Sequence, residues 1–77
     1  MKRGDALTLQ QRFGAAARAR RESLGISQEE LAARAGLHRT YIGDVERGLR
    51  NISLASIGRL ASALGCTMSD LMRETEE

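Results

Sequence analysis

The chain has 77 residues, with 12 Lys and Arg against 10 Asp and Glu for a net charge of +2, and a chain this short buries only about 60% of the surface its unfolded form exposes. One Cys and one His rule out a disulfide framework and a zinc set, while no Pro, eleven Ala and only Phe13 and Tyr41 as aromatics argue against β-structure. No apolar run approaches the roughly 18 residues of a membrane span and residues 1–11 lack a signal-peptide core, so the expectation is a cytoplasmic all-α domain over residues 1–77 without membrane contact.

A first helix begins at Leu9, because Leu9, Phe13, Ala17 and Leu24 recur at helical spacing on one face. Arg21 falls on the same stripe, where a cation either snorkels or requires a buried acidic partner. Gly25 supplies the left-handed position at which helices end. Ser27 and Glu30 have capping-box spacing, with Ile26 at the staple position, and start a second helix. Its inner face is Leu31, Ala32 and Ala35, and Gly36 stops it.

Only Leu37 and His38 intervene before a third helix, in which Ile42 and Val45 pair with Leu37 and which Gly48 closes. After a loop from Gly48 to Asn51, Ser53 caps a fourth helix with Leu54, Ile57, Leu60, Ala61 and Leu64 inside and Gly65 at its end. Thr67 or Ser69 caps a short fifth helix carrying Leu71 and Met72, and the polar tail from Glu74 to Glu77 is expected to fray. The core spans about residues 9–73. There is no internal repeat, linker or low-complexity tract.

No catalytic constellation emerges. Cys66 and His38 lack a third orienting group, and Glu29 and Glu30, adjacent on a helix, diverge and suit the helix dipole. Cys66 reads as a small hydrophobe near a helix start. The reading is a non-enzyme without metal or cofactor. Charge is uneven along the chain: residues 1–26 hold six cations against Asp5 and Glu22, residues 27–52 four against four, and residues 53–77 two against four. Eleven of the twelve cations are Arg, whose planar fork suits phosphates and guanine edges, although a codon bias would produce the same count.

The unit from Gln28 to Arg47 is a helix, a tight turn and a second helix able to enter a DNA major groove. Ile26-Ser27-Gln28-Glu29-Glu30-Leu31-Ala32, Ala35-Gly36-Leu37, Tyr41-Ile42, Glu46-Arg47-Gly48, Leu60-Ala61 and Ala63-Leu64-Gly65 closely resemble the helix-turn-helix family of phage repressors and Cro proteins. The likeness covers Phe13 to Met72 and implies a compact five-helix, lambda-repressor-like fold. Arg39-Thr40-Tyr41-Ile42, with Glu46-Arg47 and Arg50-Asn51 beyond, looks like the controller proteins of restriction-modification systems, small dimeric regulators that time endonuclease expression relative to the methyltransferase. Ile52 departs from the wider family, which often has proline there.

Arg39 and Thr40, on the first exposed turn of the recognition helix, are candidate base contacts. Asp44 points outwards on the same helix and would repel phosphates unless it accepts from a cytosine amino group, so it too is a base-contact candidate. Tyr41 can pack at the core edge while its hydroxyl reaches a phosphate. The resemblance implies backbone contacts for Gln28, Asn51 and Ser53, and a base contact for Arg50. It also supports a buried pair of Arg21 with Glu46. Leu64, Met68, Leu71 and Met72 are the candidate dimer interface, being apolar in or beside a terminal element with little core left to cover.

The implied partners are a palindromic double-stranded DNA operator and a second copy of the chain, with half-sites about one helical turn, roughly 34 Å, apart. Glu29 is a candidate contact to RNA polymerase, which the resemblance suggests for a regulator that activates and then represses its own promoter. The alternatives are a DNA-binding antitoxin, for which the chain has no extension to mask a toxin, a simple phage-type repressor, and a protein-interaction bundle, which would not need Arg39, Thr40 and Arg50 around one helix.

Overall fold

A computed structural model describes residues 7–77. They form five helices and, among the described residues, no strand: α1 (Leu9–Ser23), α2 (Gln28–Ala35), α3 (Arg39–Glu46), α4 (Leu54–Leu64) and α5 (Met68–Glu76). Each helix start except that of α3 has a hydroxyl cap. Thr8 with Gln11 and Thr67 with Asp70 are complete capping boxes, their four reciprocal bonds lying at 2.9–3.0 Å. Thr67, not Ser69, is therefore the α5 cap. The Ser27–Glu30 box is only half made, since Ser27 Oγ accepts from the Glu30 N–H at 3.0 Å while the Glu30 carboxylate accepts from Arg34 Nε at 2.9 Å.

α1 packs on α3 and α5, and α2 packs on α3 and α4. Phe13 and Ala17 of α1 meet Leu31, Ala32 and Ala35 of α2, Ile42 and Val45 of α3, Leu60, Ala61 and Leu64 of α4, and Leu71 of α5 in one core. Leu31, Ile42, Leu60 and Leu71 are each under 2% exposed, and full burial of such a side chain contributes about 1.5–3 kcal/mol. The core reaches less far along the apolar stripes than their periodicity suggests. Leu9, Leu24 and Leu54 are 60%, 47% and 72% exposed. Leu9 and Leu54 open their helices and Leu24 follows the end of α1, beyond the turns that neighbouring helices cover.

Two glycines position α3. A Cβ on Gly14 would stand 2.7 Å from the Glu46 carbonyl oxygen and 2.9 Å from its carbon, so the bare α1 backbone admits the end of α3 against it. Gly48, at φ +77°, turns the chain after α3, donating to the Val45 carbonyl at 3.0 Å while the next residue, Leu49, donates to the Asp44 carbonyl at 2.9 Å.

The expected frayed tail is instead the end of α5. Thr75 is 1% exposed with its hydroxyl donating to the Leu71 carbonyl at 2.7 Å, and Arg20 Nε of α1 donates to the Glu74 carboxylate at 2.9 Å. Polar residues here are ordered by partners contributed from α1 and from the helix's own preceding turn.

Candidate nucleic-acid interface

α2 and α3 are joined through Gly36, Leu37 and His38, the turn being closed by the Leu37 N–H donating to the Ala32 carbonyl at 3.0 Å. Gly36 adopts φ +68°, and Arg59 of α4 donates to its carbonyl at 3.3 Å. His38 is the N-cap of α3 but makes no side-chain capping bond, and both Arg39 and Thr40 in the first turn are exposed. The opposite face, with Ile42, Val45 and Glu46, is buried. One side of α3 is thus anchored and the other presents polar side chains to solvent.

The anchor includes an ion pair. Arg21 Nε and Nη2 of α1 donate to the two carboxylate oxygens of Glu46 at 2.7 and 3.0 Å, and Arg21 Nη1 donates to the Ile26 carbonyl at 2.8 Å. The Glu46 hydrogen bonds raise the Arg21 pKa further above its ordinary value. Gln28 Nε2 donates to the same Glu46 carboxylate at 2.9 Å, so the pair ties α1, α2 and α3 together. This gives Gln28 a structural bond in addition to the backbone contact read from the sequence, and leaves its second amide hydrogen for a phosphate.

The exposed flank of α3 carries a second polar cluster. Asp44 Oδ1 accepts from Arg47 Nη2 at 2.7 Å and Asp44 Oδ2 from Arg50 Nε at 3.2 Å. The Arg50 guanidinium also lies 5.0 Å from the centre of the half-buried Tyr41 ring, a cation–π distance. Arg47 was not singled out by sequence reasoning, although its position three residues after Asp44 is an i,i+3 pairing signal. Asn51 is exposed. Ser53 Oγ accepts from the Ser56 N–H at 3.1 Å, which keeps the hydroxyl hydrogen available to a phosphate oxygen. Glu29 is exposed on the first turn of α2.

The four candidate interface residues separate. Leu64 and Leu71 are 3% and 0% exposed and belong to the protomer's own core, because α5 packs its inner face on α1 and α4. They have no surface to offer a second copy. Met68 is half-buried against the core and Met72 is exposed, lining with Leu9, Phe13, Ile52 and Ile57 an open apolar depression between α1, α4 and α5.

Burial pushes the Cys66 thiol up from its ordinary value, which disfavours the nucleophilic thiolate. Among the described residues no three His, Cys, Asp or Glu gather as a metal site, and no helix is long and apolar enough to cross a membrane.

The model of the Helix-turn-helix family matches residues 18–71, which contain the C-terminal part of α1, all of α2, the turn, α3 and α4, and the start of α5. The chain belongs to the helix-turn-helix family. This helix-turn-helix protein is 53% identical over 47 residues to the control protein C.BamHI of Bacillus amyloliquefaciens, a match covering 61% of this chain and 58% of that one. It is 40% identical over 58 residues to the control protein C.MunI of Mycoplasma sp, covering 75% and 78%. Among solved structures, the restriction-modification controller protein C.AhdI from Aeromonas hydrophila aligns with a TM-score of 0.79 at 47% identity, covering 80% of this chain and 94% of that one. Within its family the chain is therefore similar to restriction-modification controller proteins.

Proposed function

We propose that this protein is a controller-type transcription regulator, not an enzyme, that binds a palindromic operator in double-stranded DNA as a homodimer in the cytoplasm. The observation that carries the reading is the two-sided α3: one side is locked to α1 and α2 through Glu46, and the other exposes Arg39 and Thr40 at its N-terminal turn with Arg47 and Arg50 beyond. A helix held by its back and armed on its front can enter a major groove without losing its orientation. Arg39, Thr40 and Arg50 meet base edges. Gln28, Tyr41, Asn51 and Ser53 meet the sugar-phosphate backbone, which fixes register.

Two-fold pairing doubles the half-site that one recognition helix covers. Met72, together with Leu9 and Ile57 around the open depression, offers an apolar surface to the partner copy. Residues 1–77 act as one DNA-binding unit.

Regulation is tested with a reporter driven by the gene's own upstream region across a titration of the protein. The reading predicts activation at low concentration, through a contact of exposed Glu29 with RNA polymerase, and repression at high concentration as a second site fills. Glu29→Gln should lose activation while keeping DNA affinity. Repression by the wild-type protein at every concentration would contradict the activator role and leave a simple repressor.

A further inference from the structure

We propose that Asp44 is a positioning residue that sets DNA specificity by restraining Arg47 and Arg50, and that it does not itself read a base. The proposal rests on the DNA-binding reading above. Both Asp44 oxygens are already engaged, Oδ1 by Arg47 Nη2 at 2.7 Å and Oδ2 by Arg50 Nε at 3.2 Å. The Asp44 side chain is only 20% exposed, whereas those of Arg47 and Arg50 are 62% and 47% exposed. The carboxylate therefore sits beneath two guanidiniums that meet solvent first. A cytosine amino group would have to displace an arginine to reach it.

The clamp is assembled by the local fold. Arg47 lies three residues after Asp44 on the helix, and the left-handed turn at Gly48 returns the chain so that Arg50 reaches the same carboxylate. Tyr41, one turn before Asp44, supplies a ring against which Arg50 stacks. Arg50 is thus held from one side by Nε and against its plane by the ring, while among the described residues both Nη groups have no other partner. The Nη pair is the end-on fork that matches guanine O6 and N7.

This arrangement treats cognate and random DNA differently. Reading a guanine end-on uses the Nη pair and leaves the Nε–Asp44 bond in place. Reaching for an arbitrary phosphate pulls Arg47 or Arg50 off the carboxylate, so the nonspecific contact must replace an ion pair already made. Asp44 also lowers the summed charge of the cluster from +2 to +1, and charge is what drives sequence-independent binding.

The test uses full-length protein, a duplex recovered by selection with the wild-type chain, and a scrambled duplex of equal length. Each is titrated at several salt concentrations. Asp44→Asn should bind the scrambled duplex about fivefold more tightly at low salt, with a plot of log K against log salt steeper by about 0.9 for each phosphate gained. Its ratio of cognate to scrambled affinity should fall about tenfold, part of the roughly 10³–10⁷ span typical of specific binders. Asp44→Glu, which restores the charge, should keep scrambled affinity within about twofold of wild type, a change smaller than one phosphate contact produces across that salt range. Adding Arg47→Gln to Asp44→Asn should remove much of the gain. Melting curves confirm that each variant is folded.

Loss by Asp44→Asn on cognate DNA alone, erased by changing one base pair, would make Asp44 a reader and overturn the proposal. An unchanged salt slope and ratio in Asp44→Asn would overturn the clamp while leaving DNA recognition intact. A wild-type protein that fails to discriminate the two duplexes would overturn both readings.

Discussion

Arg21 and Glu46, 25 residues apart, form a two-pronged ion pair whose Glu46 side chain is 3% exposed and whose Arg21 side chain is 11% exposed. It joins the longest helix to the end of α3 at the point where Gly14 lets the two backbones close up. The orientation of the recognition surface thus depends on a buried charge and on a missing methyl group.

Breaking that pair from one side leaves a charge without its partner. Glu46→Gln or Arg21→Met should cost about 3–5 kcal/mol, lowering the melting temperature by more than about 12 °C in a domain of this size. Replacing both with apolar residues of similar volume should recover much of the loss. A Glu46→Gln protein melting with the wild type would contradict the buried placement.

Gly14→Ala tests the close approach. In an isolated helix this change stabilises by about 1 kcal/mol. Here the added methyl meets the Val45 and Glu46 carbonyls, and the forced backbone shift should destabilise by about 1–3 kcal/mol net. Chemical denaturation gives the sign directly, and a more stable variant would show that α1 and α3 stand further apart.

Gln28→Ala separates two roles in one side chain. Losing the bond to Glu46 should cost about 1.5–3 kcal/mol, the range for hydrogen bonds to charged groups. Operator and scrambled DNA should be bound more weakly by the same factor, since a phosphate contact carries no sequence information. Unchanged stability with weakened DNA binding would leave only the phosphate role.

Acid should weaken the cap of α5 and its tie to α1. Asp70 is held at about 2, against an ordinary 3.8, chiefly by the Thr67 backbone N–H and then by Arg73, while the Arg20 hydrogen bond holds Glu74 below its ordinary 4.5. A folded pKa below the unfolded one means that the unfolded chain binds more protons in this window, so stability is fully present above about pH 5 and is lost as pH falls towards 2. The melting temperature of Glu74→Gln and Asp70→Asn should fall less steeply than that of wild type over this range. Parallel curves would remove these carboxylates from the account.

The helical plan was readable because its punctuation is local: Gly25, Gly36, Gly48 and Gly65 all take positive φ, and Ser27, Ser53 and Thr67 cap the helices they precede. Coverage was less readable. Periodicity assigns Leu9, Leu24 and Leu54 to a face but does not say whether a neighbouring helix extends over that turn. The order in Glu74 and Thr75 depends on Arg20 and on burial against α1, neither visible in a polar tail. For the same reason spacing does not show that α4 and α5 bury Leu64 and Leu71 within the protomer and keep them from a dimer interface. At the candidate site, helical spacing put Arg39 and Thr40 on the exposed first turn, but the Asp44–Arg50 contact depends on the chain reversal after α3 and could not be read from spacing.

Whether α3 reads bases through its N-terminal turn is decided by the affinity of Arg39→Ala for a selected operator duplex and for its scrambled counterpart at one fixed salt concentration. Arg39→Ala should lose about 1–3 kcal/mol of discrimination, confined to one base pair per half-site and most consistent with a guanine, while binding to scrambled DNA changes far less. Equal loss on both duplexes would reduce Arg39 to a phosphate contact and contradict the claim that this surface recognises sequence.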